Sequence, residues 1–428
     1  MSALAAEVLG FVANPRSQPV GDTTLFARLV VEKPLLRAGS VWIVSRHDLV
    51  SRLAQHPHCV IRMPDRWHAT RPLNPTVSTF LEGLMPVRPP ADHQRLRRLV
   101  AGQFSARSVA ALRGVVQEIV DELLAAPLQR GECDIIGEIC VQLPVYTTTA
   151  MLGLPDSDRS RVLHWVRTVN GQIIDEVSGR VGGRAGGPTM AVTSELELVT
   201  GYIEELVRDR TRRPQDDLVS QLAQYSCAKD GRLSHNELVS MVIMLLMTGI
   251  DTVGTALSNV LLALSRQPEA WQQVVADPRK AAAAYIEGIR LIPALPMMSR
   301  IVEADIDLSG VVIPAGSTVL LMYGAANLDP AVFPDPLRFD LNRTRSGHLS
   351  FGHGPHYCLG ASLAVLQGEL MLATLARHAP EFEVVEVGER RAEMAFHSAA
   401  TMRVRFAPAA MAPATAAMAP ATIARVGS

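Results

Sequence analysis

The sequence is short of net charge, of paired cysteines and of any long uninterrupted apolar run near its start. Lysine plus arginine number 41 against 42 aspartate plus glutamate, a formal net charge of -1. A near-neutral balance gives no overall field to draw the molecule to nucleic acid or to an anionic membrane, so neither is expected as a partner. The five cysteines, Cys59, Cys133, Cys140, Cys227 and Cys358, are scattered without paired spacing. That argues against a disulfide framework and fits a reducing cytoplasm. The first residues, MSALAAEVLGFVANPRSQPVGD, are only weakly apolar and have no basic segment ahead of them, so neither a signal peptide nor an anchor is expected. A Rossmann glycine fingerprint is missing, and so is a cysteine cluster for iron–sulfur chemistry.

What is present is helical spacing. The longest apolar stretch, residues 238–264, is interrupted by Asp251, Asn259, several threonines and two glycines, which suits a buried core helix better than a membrane span. Ser234 and Glu237 form a capping box at its start. A helix from there to Arg266 would run roughly 50 Å. Residues 23–31 and 47–55 read as helices around a β segment at 41–45. Further helices are expected near 92–103, 106–126, 133–152, 158–177, 194–212, 268–276, 279–291 and 360–378. Strands are expected at 301–313, with a Ser309-Gly310 hairpin turn, at 318–322 and within 383–406. The fold class is therefore mostly α with minor β, read as a single catalytic domain over residues 1–406. The glycine-rich segment 178–188 is expected to be a mobile connection, either a plain loop or a substrate lid. The repeat MAPAT in the Ala/Pro-rich tail 407–428 is expected to be disordered.

The stretch richest in chemistry is HLSFGHGPHYCLGASLA, residues 348–364. A zinc site could use His353, His356 and Cys358, but it lacks the nearby fourth ligand a structural site needs. A thiolate bound to haem iron accounts for more of these residues. Gly354 and Gly360 would let the backbone turn sharply and pass close to the macrocycle, the helix starting near Gly360 would place its positive end beside the sulfur, and Phe351 would shield it from water. His356 could reach a haem propionate. FGHGPHYCLG resembles the cysteine-ligand signature of the cytochrome P450 family, Phe-x-x-Gly-x-His/Arg-x-Cys-x-Gly, at every defined position.

That resemblance covers roughly residues 20–405 and extends to other motifs. TGIDTVGT, residues 248–255, matches the family's oxygen-activating stretch through Gly249, Asp251 and Thr252, with Thr248 departing from the usual small residue. It implies that Gly249 leaves room for oxygen, Thr252 hydrogen-bonds it and Asp251 relays protons. The resemblance makes Glu287 and Arg290 the family's Glu-x-x-Arg pair and Arg338 the third member of that structural cluster. It makes His93, Arg97, Arg300 and His356 a four-residue propionate anchor. Leu328, Val365 and Gln367 depart from frequent family residues, which puts in doubt only the proximal surface and its redox partner.

By the same resemblance the cofactor is haem b, held by Cys358 between the long central helix and the cysteine-loop helix. Dioxygen is then co-substrate, and electrons come from NAD(P)H through a ferredoxin and a ferredoxin reductase, with Arg95, Arg98 and Arg107 as docking candidates. A cytoplasmic monomer is implied. Candidates for the substrate pocket are Trp67, Leu84, Met85, Leu245, Thr248, Pro296, Met297, Met298 and Phe396, mostly apolar, which favours a bulky apolar small molecule. The leading expectation is a monooxygenase tailoring a secondary metabolite. Oxidative C–C or aryl coupling without oxygen insertion, and a haem-binding sensor or carrier, are the alternatives.

Overall fold

Ser234 begins the longest element. Its side chain accepts from Glu237 N (3.2 Å) while the Glu237 carboxylate accepts from Ser234 N (2.9 Å), and the helix His235–Ser265 follows. The computed structural model describes residues 3–14, 18–61, 75–177, 190–227, 232–343, 347–391 and 396–407. Its composition is mostly helical, 61%, with minor sheet. This central helix is long and apolar enough to cross a membrane, yet 83% of its most apolar stretch is buried inside the protein. Burial against other helices consumes the apolar surface that a bilayer would otherwise cover. It packs on the helix Gln142–Leu152 along one side and on Ala281–Leu291 along another.

Helices fall close to the expected positions at Thr24–Glu32, His47–Ala54, Pro90–Ala101, Arg159–Val177, Met190–Arg212, Pro268–Ala276, Ala281–Leu291 and Ala361–His378. Not expected were the helices Ala3–Ala13, Pro75–Gly83, Leu218–Cys227 and Tyr323–Ala326 and the short strands Leu35–Ala38 and Cys59–Val60, and the helix expected over 106–126 is split into Ala106–Ala111 and Arg113–Arg130. The single helix expected over 133–152 is instead a strand Glu132–Asp134, a π-helical turn Ile136–Cys140 and the helix Gln142–Leu152. The cause is Asp134. Its carboxylate accepts from Ile136 N and Gly137 N, and also from Met402 N at 2.9 Å, so the strand and the turn are tied together before the helix begins. The π turn then presses on the central helix at Gly254, where an added Cβ would lie 2.9 Å from Cys140 O.

A five-stranded sheet has the order Leu35–Ala38, Val41–Val44, Thr318–Leu321, Met298–Val302, Cys59–Val60, with one parallel pairing between the second and third. The hairpin Ile306–Leu308 with Val311–Ile313 turns through Ser309 and Gly310, whose φ values of 59° and 85° are what a two-residue turn requires. Strands Glu132–Asp134, Met402–Phe406 and Phe382–Val387 make a second sheet. Most buried apolar residues form one core around the central helix, and a smaller cluster lies under the five-stranded sheet. The glycine-rich segment 178–188, Trp67 and residues 408–428 lie outside the described residues.

Candidate active site

The cysteine loop runs from Leu349 to the helix Ala361–His378, and its residues are held by their backbone. Cys358 N donates to Phe351 O at 2.8 Å, which closes the loop on itself. Gly354 has φ +70°, and an added Cβ would fall 2.6 Å from Gln55 Cγ and 3.1 Å from Ala54 O. The close approach that requires this glycine here is to the end of the helix His47–Ala54. Gly360 caps the following helix with an ordinary φ of -86°, and a Cβ there would meet nothing within 4 Å. The expected sharp turn at Gly360 is absent. Its amide instead donates to the Cys358 sulfur. Phe351 lies edge-on to Tyr357 with centroids 6.2 Å apart.

Cys358 is exposed, yet burial is the largest influence on its titration and raises the thiol, opposed by the Gly360 amide and by Arg97. The thiol therefore keeps accessible surface in a largely desolvated setting. Four basic side chains gather near it. The His93 and His356 rings lie 4.4 Å apart, centroid to centroid, and Arg97 Nη2 donates to Tyr357 O at 2.6 Å. Burial, then His93, Arg300 and Arg97, push His356 down to about 3. Burial also lowers His93, with Arg97 adding to it, and lowers Arg97 against the pull of the Cys358 thiolate. Among the described residues no carboxylate forms an ion pair with any of the four. Arg300 is 3% exposed and its Nε has no partner, although Nη1 and Nη2 reach Ser299 O and the Tyr323 hydroxyl. Arg97 and Arg300 are thus two guanidinium charges without a carboxylate of their own beside two uncharged imidazoles, and a group bearing two carboxylates beside a thiolate-bound iron would supply the missing anions and acceptors. The residues fit haem.

On the central helix Asp251 is 3% exposed and pairs with Arg391 at 3.3 Å, whose guanidinium also lies over Phe396. The Thr252 hydroxyl donates to Thr248 O at 2.7 Å, so its proton is already engaged and its oxygen is left as an acceptor. Thr248 is exposed in the middle of a buried run. The missing side chain of Gly249 is needed by Thr148, whose Oγ1 lies 3.2 Å from where a Cβ would stand. Its glycine is a packing requirement against the helix Gln142–Leu152, a different reason from room for oxygen.

Beneath the cysteine loop, Arg290 donates twice to Glu287, at 2.9 and 2.8 Å, and both are almost completely buried. The third member of the cluster is Arg343, whose Nε reaches Glu287 Oε1 at 3.0 Å. Arg338 is a correction: its side chain is exposed, and only its carbonyl takes part, accepting from Arg290 and Arg343.

The family model for cytochrome P450 matches residues 186–402. The chain is 32% identical over 356 residues to vitamin D(3) 25-hydroxylase of Pseudonocardia autotrophica, covering 82% of this chain and 83% of that one. It is 33% identical to the cytochrome P450 monooxygenase PikC of Streptomyces venezuelae, covering 85% of each. Among solved structures, P450BioI in complex with an acyl carrier protein ligated to hexadec-9Z-enoic acid matches with a TM-score of 0.81 at 26% identity, covering 93% of this chain and 99% of that one. The chain belongs to the cytochrome P450 family. It is an oxidoreductase of the monooxygenase type, and the family implies a haem-thiolate centre and dioxygen as co-substrate.

Several candidates for the P450 substrate pocket are placed elsewhere. Phe396 is fully buried, stacked under Arg391, and presents no surface to a ligand. Pro296 packs on Gly324, to whose amide it also offers its carbonyl at 2.8 Å. Met85, Leu245 and Met297 are 4%, 6% and 3% exposed and belong to the core. Leu84 and Met298 are half-buried, and with the exposed Thr248 they are the pocket candidates that retain surface. Of the three docking arginines, Arg95 is committed to Glu237 (2.5 Å) and Asp92, while Arg98 and Arg107 are exposed. Leu328 and Gln367, expected to alter a proximal surface, are each 1% exposed and lie in the interior. Arg391, Arg343 and Asn327 carry no spacing that marks them in the sequence, because their partners are far along the chain.

Proposed function

We propose that Cys358 is the axial thiolate ligand of haem b in a cytoplasmic, single-domain P450 that oxidises a bulky, largely apolar small molecule in secondary metabolism. The observation that carries it is the group of His93 and Arg300, buried, and Arg97 and His356, half-buried, gathered beside the exposed Cys358 with no carboxylate paired to them among the described residues. These four would hold the two propionates, and the Gly360 amide would hold the sulfur as an anion. Haem bound there supplies the reductive activation of dioxygen, favoured by the electron density that a thiolate pushes onto iron. Thr252 Oγ presents an acceptor above that site, since its proton is held by Thr248 O. Asp251, held in place by Arg391, would be the carboxylate that passes protons toward the bound oxygen. Glu287, Arg290 and Arg343 keep the cysteine side of the core in place.

Electrons are proposed to come from NAD(P)H through a ferredoxin and its reductase, docking near Arg98 and Arg107, because this sequence carries no flavin or iron–sulfur motif. An apolar substrate is supported by Leu84 and Met298, and by relatives named for a vitamin D hydroxylase and a fatty-acyl complex. The test is the carbon monoxide complex of the reduced protein. Wild type is expected to absorb at the position of cysteine-ligated haem and Cys358→Ala to lose that band. Retention of the band by the variant would overturn the assignment. Oxygen insertion is then read from product mass in labelled dioxygen.

A further inference from the structure

We propose that Asn327 is the positioning residue of the thiolate loop, setting the backbone from which the Cys358 sulfur hangs and tying it to the Glu287–Arg290 pair. The proposal rests on the reading of Cys358 as the haem ligand.

Asn327 is completely buried and both ends of its amide are used. Leu349 N donates to Asn327 Oδ1 at 2.6 Å, and Asn327 Nδ2 donates to Ser350 Oγ at 2.8 Å. The orientation of the amide is determined by chemistry. A backbone N–H can only donate, so Oδ1 must face Leu349, and the NH2 is left for Ser350. The Ser350 hydroxyl accepts that bond and passes its own proton to Ile289 O at 2.8 Å, which leaves it no alternative rotor. The Asn327 carbonyl accepts from Arg290 Nη1 at 2.9 Å. One residue thus joins the Glu287–Arg290 helix, through its backbone, to two successive residues of the cysteine loop, through its side chain.

The connection to the sulfur is short. Phe351 directly follows Ser350, and its carbonyl is the acceptor for Cys358 N. Displacing Leu349 and Ser350 therefore displaces the anchor of the cysteine amide. It also moves the sulfur relative to the Gly360 amide, which donates to it. Leu349 is 1% exposed, so its amide would find no water in place of Asn327. Arg338, the residue the family pattern had put forward, joins this network only through its backbone carbonyl, which accepts from Arg290 and Arg343.

The experiment compares haem-loaded Asn327→Ala and Ser350→Ala with wild type by the carbon monoxide spectrum of the reduced protein, the iron reduction potential and thermal unfolding. Asn259→Ala serves as a structural control, because Asn259 is equally buried and bonds Ile292 O and His397 O far from the cysteine. Expected are partial loss of the cysteine-ligated band to the position of neutral-thiol ligation and a raised potential in Asn327→Ala. A smaller change in the same direction is expected in Ser350→Ala. Asn259→Ala is expected to lower the melting temperature with an unchanged spectrum. If Asn327→Ala does not fold, Ser350→Ala decides alone. An unchanged band and potential in the variants that fold overturn the proposal, as does an equal spectral change in Asn259→Ala. Persistence of the band in Cys358→Ala is a separate result, and it would sink the ligand assignment itself.

Discussion

Arg343 and Arg338 separate two meanings of an arginine near Glu287. Arg343 is 10% exposed and shares Glu287 Oε1 with Arg290, whereas Arg338 points to solvent. Removing one partner from a buried ion cluster leaves the carboxylate short of compensation, a loss of about 3–5 kcal/mol. An exposed arginine away from such features costs within about 0.5 kcal/mol. Arg343→Ala is therefore expected to yield protein with little haem and a lowered urea midpoint, and Arg338→Ala to match wild type in both. The reverse order in equilibrium unfolding and haem content would refute the placement. The sequence pattern could not make this choice, since Arg338 and Arg343 both stand in the segment before the cysteine loop. Which guanidinium turns inward depends on the path of residues 335–343, where Arg343 also donates to the carbonyls of Pro334 and Asp335.

At the scale of elements, the helix Ala281–Leu291 lies against the cysteine helix Ala361–His378 through a large residue facing a glycine. Tyr285 is fully buried, and a Cβ on Gly368 would stand 2.0 Å from Tyr285 Cδ2. Gly368→Ala is expected to destabilise by about 1–3 kcal/mol, the usual cost of overpacking. In a Tyr285→Ala background the same methyl enters vacated space, so its cost should shrink or change sign, with a coupling of about 0.5–3 kcal/mol in a double-mutant cycle. Additive unfolding energies would show that the two residues do not meet. Such pairings explain what could be read beforehand. Helices with strong apolar spacing and clear ends, such as His235–Ser265 after its capping box, were legible because their signals are local. The strand and π turn at 132–140 were not, because Asp134 is claimed by Met402, distant in sequence. The pocket candidates failed in the same way: Phe396 and Pro296 have the right chemistry, but their neighbours Arg391 and Gly324 close over them. The cysteine loop stands out in the sequence because a thiol, three histidines and three glycines fall in one short stretch.

Across the whole molecule, two histidines are held in the neutral form by burial, His397 and His348. His397 is 1% exposed; its Nε2 accepts from Gly21 N, and its carbonyl accepts from Asn259 of the central helix. Burial, then Arg390, push it down to about 3. His348, at the entry to the cysteine loop, is pushed down to about 4 by burial and by Arg290, with Glu287 opposing. Both histidines bind protons more readily when unfolded, where the ordinary value is about 6.5. Their contribution is therefore complete above pH 6.5 and is lost as pH falls, through about 4 for His348 and about 3 for His397. Between pH 6.5 and 4 the unfolded chain binds more protons than the folded one at both histidines, so stability falls as pH falls through this range. His356 is set aside, because a propionate beside it would change its titration. Urea unfolding followed by far-ultraviolet circular dichroism at pH 7.5, 6.0 and 5.0 should show stability unchanged above 6.5 and falling below it. His397→Gln retains an acceptor for Gly21 N and removes the titration, so it should reduce the slope by about half even if it lowers stability at pH 7.5. A stability independent of pH between 6.5 and 5.0, or a slope the variant leaves untouched, would mean that these histidines do not hold the N-terminal segment and the C-terminal strands against the core in the neutral form.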